Sequence, residues 1–365
     1  MTTHGARDGA EPVRLQDQLQ ALLGAAYLLE EELGGGGMSR VFVAEERALG
    51  RRVVVKVLPR ELGAPVNIER FRREIRLAAQ LQHPHIVPVL TAGELAGMPY
   101  FTMPLEQGRS LRARLQASGA LPVAEATAIL GDVAKALAYA HGQGVVHRDI
   151  KPDNVLVCGD AAVVTDFGIA KALADATVGA SDAQLTHVGM TMGTPAYMAP
   201  EQAAADPTMD HRADLYAFGC LAYELFAGRP PFTEASPRRL LAAQMSGVPV
   251  PIGTRRPETP APLAALIMRC LAKDPDDRPQ HAEELVRTLD GLASGEPRGI
   301  AAWTGATPRQ RIGRLTLLYA LSLVPVAIVV KAAMILLLLP DWVLPATLAA
   351  VVVAGPLLLA RSRVP

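Results

Sequence analysis

The run His147-Arg148-Asp149-Ile150-Lys151-Pro152-Asp153-Asn154, followed by Thr165-Asp166-Phe167-Gly168, concentrates the reactive side chains of this 365-residue chain. Two carboxylates (Asp149, Asp166), an amide (Asn154) and two cations (Arg148, Lys151) stand at fixed offsets on two loops that follow short apolar segments. Carboxylate and amide oxygens are hard donors that suit Mg²⁺. A carboxylate beside a hydroxyl can take its proton. Such a set can hold a nucleoside triphosphate with its metal and pass the terminal phosphoryl group to a hydroxyl. The glycine run Gly34-Gly35-Gly36-Gly37, between Leu33 and Val41, adds to this chemistry. Without side chains, its backbone N–H groups can come close to anionic oxygens.

The elements that position these residues read as an α+β chain. Residues from Tyr27 to Val57 predict strand, glycine turn, strand, strand, with Val41-Phe42-Val43 and Val53-Val54-Val55 as apolar cores and Lys56 closing the last strand. A charged helix is expected over Val66 to Leu81, then strands near Val87 to Ala92 and Pro99 to Met103. From Leu111 the pattern turns helical, with Ala124 to His141, Asp210 to Ala227, Ala261 to Ala272 and Ala282 to Leu292 as helices. The Asp210 to Ala227 stretch is apolar enough for the middle of a core. Leu15 to Leu23 predicts a short lead-in helix.

These motifs, in this order, resemble the Hanks-type (eukaryotic-like) Ser/Thr protein kinases of bacteria over residues 27–292. The resemblance implies a bilobal fold, with a small β-rich lobe carrying one main helix and a larger helical lobe. It implies ATP and Mg²⁺, or Mn²⁺ in its place, in the cleft. Leu33, Gly34, Gly36, Val41 and Val54 would cover the nucleotide. Lys56 would contact the α- and β-phosphates and pair with Glu74, with Glu69 as the nearby alternative. Met103, Pro104 and Glu106 would form the hinge that bonds adenine through the main chain. Pro104 has no N–H, so it would supply a carbonyl and Glu106 the donor. Asp149 would act as catalytic base, Lys151 would steady the phosphoryl group, and Asn154 and Asp166 would hold the metal. Ser39 stands where the family has a third glycine, and Val54 where it usually has alanine.

The resemblance extends to regulation and scaffolding. Arg148 would bind a phosphate on the segment from Asp166 to Glu201, where Thr177, Ser181, Thr186, Thr191 and Thr194 lie. Thr186 and Thr191 are the expected modification sites, and Thr194 would bridge Asp149 and Lys151. Glu201 and Arg278 would form a buried ion pair, and Asp214 would cap the catalytic loop. His147 is expected to pack beneath that loop. His141 reads as an ordinary helix-end histidine.

Composition bounds the rest. Basic and acidic residues balance at 36 each, so bulk charge points to no nucleic-acid partner. Cys158, Cys220 and Cys270 are far apart, which argues against zinc or a disulfide framework and for small buried residues. Residues 1–26 form a polar lead-in with no apolar signal segment. A Gly/Pro/Ser-bearing linker is expected over 293–314. Two apolar runs follow, 315–339 and 343–360, each near the ~20 residues that span a bilayer. Arg309, Arg311 and Arg314 precede the first run, and Arg361 and Arg363 follow the second. They put both ends, and the catalytic part, on the cytoplasmic side of the cell membrane. Lys331, late in the first run, would snorkel outward or face a partner.

The reading is therefore a membrane-anchored Ser/Thr protein kinase that phosphorylates proteins, activated by autophosphorylation, with a homodimer as one route to modification in trans. The alternative is a catalytically weak pseudokinase serving as a membrane signalling scaffold, for which Ser39 and Val54 are the support. A small-molecule kinase is disfavoured by the Gly193 to Glu201 stretch, which matches a peptide-binding segment.

Overall fold

The computed structural model describes residues 15–24, 26–34, 39–58, 65–95, 98–167 and 195–293. The expected membrane runs and the linker before them, Gly36, and the threonines from Thr177 to Thr194 lie outside the described residues. Among the described residues, no helix is long and apolar enough to cross a membrane.

The first lobe is an antiparallel sheet of β1 (Tyr27–Gly34), β2 (Arg40–Glu46), β3 (Arg51–Val57), β4 (Thr91–Leu95) and β5 (Met98–Pro104), in the order β1-β2-β3-β5-β4. Alternation along the strands separates two faces. On one, Phe42, Ala44, Val53, Val55 and Val57 pack with Leu19 and Leu23 of α1 (Leu15–Leu23), so the lead-in helix seals the outer core. Gln20 fastens it, donating to the Tyr27 carbonyl (3.0 Å) and accepting from the Leu29 N–H (2.7 Å). The other face carries two cross-strand rows. One is Val43–Val54–Met103, and the next is Val41–Lys56–Phe101. Helix α2 (Pro65–Ala78) packs Phe71 and Ile75 against Phe101 and Leu58.

The strand expected at Val87 to Ala92 begins instead at Thr91. Residues 85–87 are taken by the other lobe. The Val87 N–H donates to the Val164 carbonyl and the Val164 N–H to the His85 carbonyl, both at 2.9 Å. An apolar run does not reveal which of two neighbouring sheets will pair with it.

The second lobe starts with β6 (Arg109–Ser110), α3 (Leu111–Ser118) and α4 (Val123–Gly142). The strands β7 (Val155–Cys158) and β8 (Ala161–Val164) follow the reactive loop. Beyond them come α5 (Pro200–Ala203), α6 (Arg212–Ala227), α7 (Pro237–Ser246), α8 (Ile252–Arg255), α9 (Ala261–Cys270) and α10 (Ala282–Ala293). The lobe is built on α6, whose residues from Ala213 to Phe226 are all buried. This all-round apolar helix is the expected core element. It packs against α9, and a methyl at Gly219 would lie 2.7 Å from Cys270 Cβ, so the close approach depends on glycine. Helix α4 buries Ile129, Val133, Ala136, Leu137 and Ala140 in the same core. Arg278 is fully enclosed. Its guanidinium makes a two-pronged pair with Glu201 (2.7 Å each) and donates to the carbonyls of Ala272, Arg212 and Lys273. All five of its N–H donors are thereby used. Cys220 and Cys270 are buried as expected, but Cys158 is only half-buried.

Asp214, on the first turn of α6, is fully buried beneath the loop at 147–154. Its Oδ2 accepts from His141 Nε2 and the His147 N–H, each at 2.8 Å, and its Oδ1 from the Arg148 N–H at 2.7 Å. His141 is thus no ordinary helix-end histidine, since the ring faces the carboxylate across the lobe. Burial alone would raise the Asp214 pKa. The His141 hydrogen bond, the nearby histidine charges and the Arg148 N–H outweigh burial and hold it below the ordinary value of 3.8. A depressed carboxylate stabilises the fold fully above its unfolded pKa, and that contribution is lost as pH falls through the folded value. Asp214→Asn is expected to cost about 3 kcal/mol at pH 7. In denaturant titrations the gap from the native protein should narrow below pH 3.8. A gap independent of pH would contradict the ionised state.

Candidate active site

The hairpin of β7 and β8 brings the two reactive loops together. Its register pairs Val155 with Val164, so Asn154 just before it and Thr165 just after it are neighbours at the same end. The Thr165 N–H donates to the Asn154 carbonyl at 3.0 Å. His147, with no exposed surface, ties the loops from below. Its Nε2 meets the Thr165 carbonyl at 2.9 Å, and its ring meets Phe167 edge-on at 4.6 Å. The expectation of a structural role for His147 agrees with this position.

Both loops hold a residue in the left-handed backbone region, Arg148 at φ 69° and Asp166 at φ 70°. A non-glycine residue there costs on the order of 1–3 kcal/mol and persists only when its surroundings over-determine it. For Arg148 the surroundings are visible. Its N–H is held by Asp214, and its carbonyl accepts from Gln202 Nε2 at 2.9 Å. The sequence carried no signal for Gln202, whose importance comes only from folding α5 over the loop.

The loop's side chains converge on Asp149. Lys151 Nζ donates to its Oδ2 at 2.7 Å, and Asn154 Nδ2 donates to Oδ2 at 3.0 Å and to the Asp149 carbonyl at 2.8 Å. Across the cleft, Lys56 Nζ lies 2.7 Å from Asp166 Oδ2, with the two side chains 15% and 13% exposed. This ion pair joins β3 of the first lobe to the loop after β8 of the second. Glu74, the partner expected for Lys56, is buried on α2.

Val41, Val54 and Met103 share one face of the sheet, with Pro104 at the next position along β5. Val41 is paired with Lys56, and Val54, 5% exposed, lies between Val43 and Met103. Met103 Sδ accepts from Thr165 Oγ1 at 3.4 Å, which places it beside the loop that carries Asp166. Pro104 ends β5 opposite Val53, and the Glu106 carbonyl accepts from the Gly108 N–H at 3.1 Å. Leu33 and Gly34 end β1, where a register shift between Glu32 and Gly34 turns the strand, and Leu33 is exposed.

Two observations bear on a metal. Asp166 Oδ1 is buried with no hydrogen-bond partner among the described residues, a costly state for a carboxylate oxygen unless a cation meets it. The Asn154 amide nitrogen is spent on Asp149, and its side-chain oxygen is the group left to offer lone pairs among the described residues. An oxygen pair of this kind fits a hard divalent ion. Arg148 Nε is a further buried orphan, again without a partner among the described residues.

A family profile described as "Protein kinase domain" matches residues 27–288. The serine/threonine-protein kinase PknB of Mycobacterium leprae is 39% identical over 277 residues, covering 74% of this chain and 43% of that protein. A probable serine/threonine-protein kinase of Streptomyces coelicolor is 38% identical over 290 residues, covering 78% and 42%. The chain thus spans less than half the length of these relatives. The crystal structure of a single-residue mutant of the Mycobacterium tuberculosis PknI kinase domain superposes with a TM-score of 0.57 at 31% identity, covering 74% of this chain and 96% of that one. The chain belongs to the protein kinase domain family, with bacterial Hanks-type Ser/Thr kinases among its homologues.

Proposed function

We propose that this protein is a Ser/Thr protein kinase that transfers the γ-phosphoryl group of ATP to Ser or Thr hydroxyls of proteins. The observation that carries the reading is the pair of facing clusters, Asp149–Lys151–Asn154 on one loop and Lys56–Asp166 across the cleft. Asp149 accepts the proton of the attacking hydroxyl. The hydroxyl oxygen bonds to the γ-phosphorus, the bond from that phosphorus to the β–γ bridging oxygen breaks, and ADP leaves. Lys151 offsets negative charge beside the carboxylate. Lys56 holds the α- and β-phosphates, and its pairing with Glu74 belongs to the same proposal, supported by the burial of that carboxylate. Asn154 and Asp166 would hold Mg²⁺ or Mn²⁺, which supplies charge neutralisation on the phosphate oxygens. The full complement of Lys56, Glu74, Asp149, Asn154 and Asp166 favours a catalyst over a scaffold.

Two finer parts of the proposal rest mainly on sequence. Activation is by autophosphorylation at Thr186 or Thr191, supported by the buried Arg148 Nε, which has no partner among the described residues. Anchoring in the cytoplasmic membrane is by the runs 315–339 and 343–360, supported by their apolar character and flanking arginines.

Transfer of labelled phosphate from ATP to casein is the direct test. Native protein should be active, and Lys56→Met and Asp166→Asn should each lower kcat/KM at least about a hundredfold. Unchanged activity in either variant would refute the assigned site. Mass spectrometry after incubation with ATP should place phosphate on Thr186 or Thr191, and an active enzyme with neither modified would remove the autophosphorylation claim. Expressed in a bacterium, the full chain should stay in the alkaline-washed membrane pellet and a version ending at residue 305 should not. Release of the full chain would defeat the anchor.

A further inference from the structure

Pro195–Tyr197 forms a short 3-10 turn that is gripped from two sides. On one side the Tyr197 hydroxyl bonds to Glu224 and accepts from Arg112 (2.6 Å), and Arg112 also reaches Asp153 of the catalytic loop at 3.2 Å. A few residues further on, Gln202 donates to the carbonyl of Arg148, the residue just before Asp149. The turn is therefore joined through Arg112 to Asp153, on the loop that carries Asp149, and the segment that follows it is joined through Gln202 to Arg148. In the kinase reading the Gly193 to Glu201 stretch that holds this turn is the peptide-binding segment, so an acceptor that presents a hydroxyl to Asp149 would lie beside it.

On the other side is Gln244, on α7, a glutamine with no exposed surface. Its Nε2 donates to the carbonyls of Pro195 (3.0 Å) and Ala196 (2.6 Å), and its Oε1 accepts from the Tyr216 hydroxyl at 2.6 Å. Lys273 Nζ donates in turn to the Tyr216 oxygen (2.8 Å) and to the Gln244 carbonyl (2.6 Å), with the Phe232 ring 4.3 Å away. The donors run in one direction. Lys273 has no acceptor to offer while charged, so the Tyr216 proton goes to Gln244, and that fixes which end of the amide faces the two carbonyls. A buried amide with both ends satisfied specifies one geometry, because a flipped amide would set its oxygen against two carbonyl oxygens. No catalytic residue takes part in this relay.

We propose that Gln244, oriented by Tyr216 and Lys273, is a positioning residue for the protein acceptor. It fixes the Pro195–Ala196 backbone as the wall against which the acceptor chain lies beside Asp149. This rests on the kinase reading, and it adds a determinant of acceptor affinity remote from the nucleotide.

The test is steady-state kinetics of the full chain with ATP and casein, alongside melting temperatures. Gln244→Met keeps the side-chain volume and removes the donors. It should raise the KM for casein about five- to tenfold, with the KM for ATP and kcat at saturating casein within about twofold of native. Tyr216→Phe removes only the hydroxyl that orients the amide, and should raise the casein KM about two- to threefold. If Gln244→Met does not fold, Tyr216→Phe decides. An unchanged casein KM would overturn the proposal. So would a fall in kcat and a rise in ATP KM together with a lower melting temperature, because a merely structural role predicts that pattern. Native protein without any transfer would refute the kinase reading itself, and this inference with it.

Discussion

The candidate site depends on one buried carboxylate. Asp214 sits without solvent on the most buried helix of the larger lobe and accepts from two consecutive backbone N–H groups, those of His147 and Arg148, and from the His141 ring. A charge placed there would be ruinous if unpaired. Here its three donors make it a fixed post. The strained Arg148 backbone is held on both sides, its N–H by that post and its carbonyl by Gln202. Just beyond Arg148, Lys151 and Asn154 close on the Asp149 carboxylate. The apolar surroundings of α6 strengthen these bonds, so the same packing that stabilises the lobe also aims the reactive loop.

Charge balance does the corresponding work between the lobes. Lys56 and Asp166 stand on different lobes and meet at 2.7 Å while both keep some access to water. Such a pair contributes less to stability than a fully buried one and can exchange partners at low cost. Under the proposed function, that would suit groups that hand their charges to phosphate and metal. Glu201–Arg278 is the contrast. It is enclosed, two-pronged and saturated by three further carbonyls, and it serves as architecture.

Much of this was legible in the sequence because the motifs are local. The two reactive loops (His147 to Asp149, Asp166 to Gly168), the lysine after three valines, and the apolar helix at 212–227 each declare themselves within a few residues. The hairpin that joins the two loops needs only two four-residue strands and a turn. What the sequence concealed depends on distant chain segments meeting. His141 faces Asp214 across 73 positions, Gln202 reaches the Arg148 carbonyl across 54, and Gln244 reaches Ala196 across 48. The missed strand boundary at Thr91 has the same origin, since residues 85–87 pair with a strand of the other lobe. Pairing of that kind leaves no trace in local periodicity.

The most direct test of the account is where a divalent ion lies. Crystals grown with Mn²⁺ and a non-hydrolysable ATP analogue, measured at the manganese absorption edge, would locate the ion by its anomalous signal alone. The account predicts a peak within coordination distance of Asp166 Oδ1 and the Asn154 side-chain oxygen, with Lys56 turned toward the phosphates. A peak bound elsewhere, or none at these oxygens with the nucleotide seated, would contradict it.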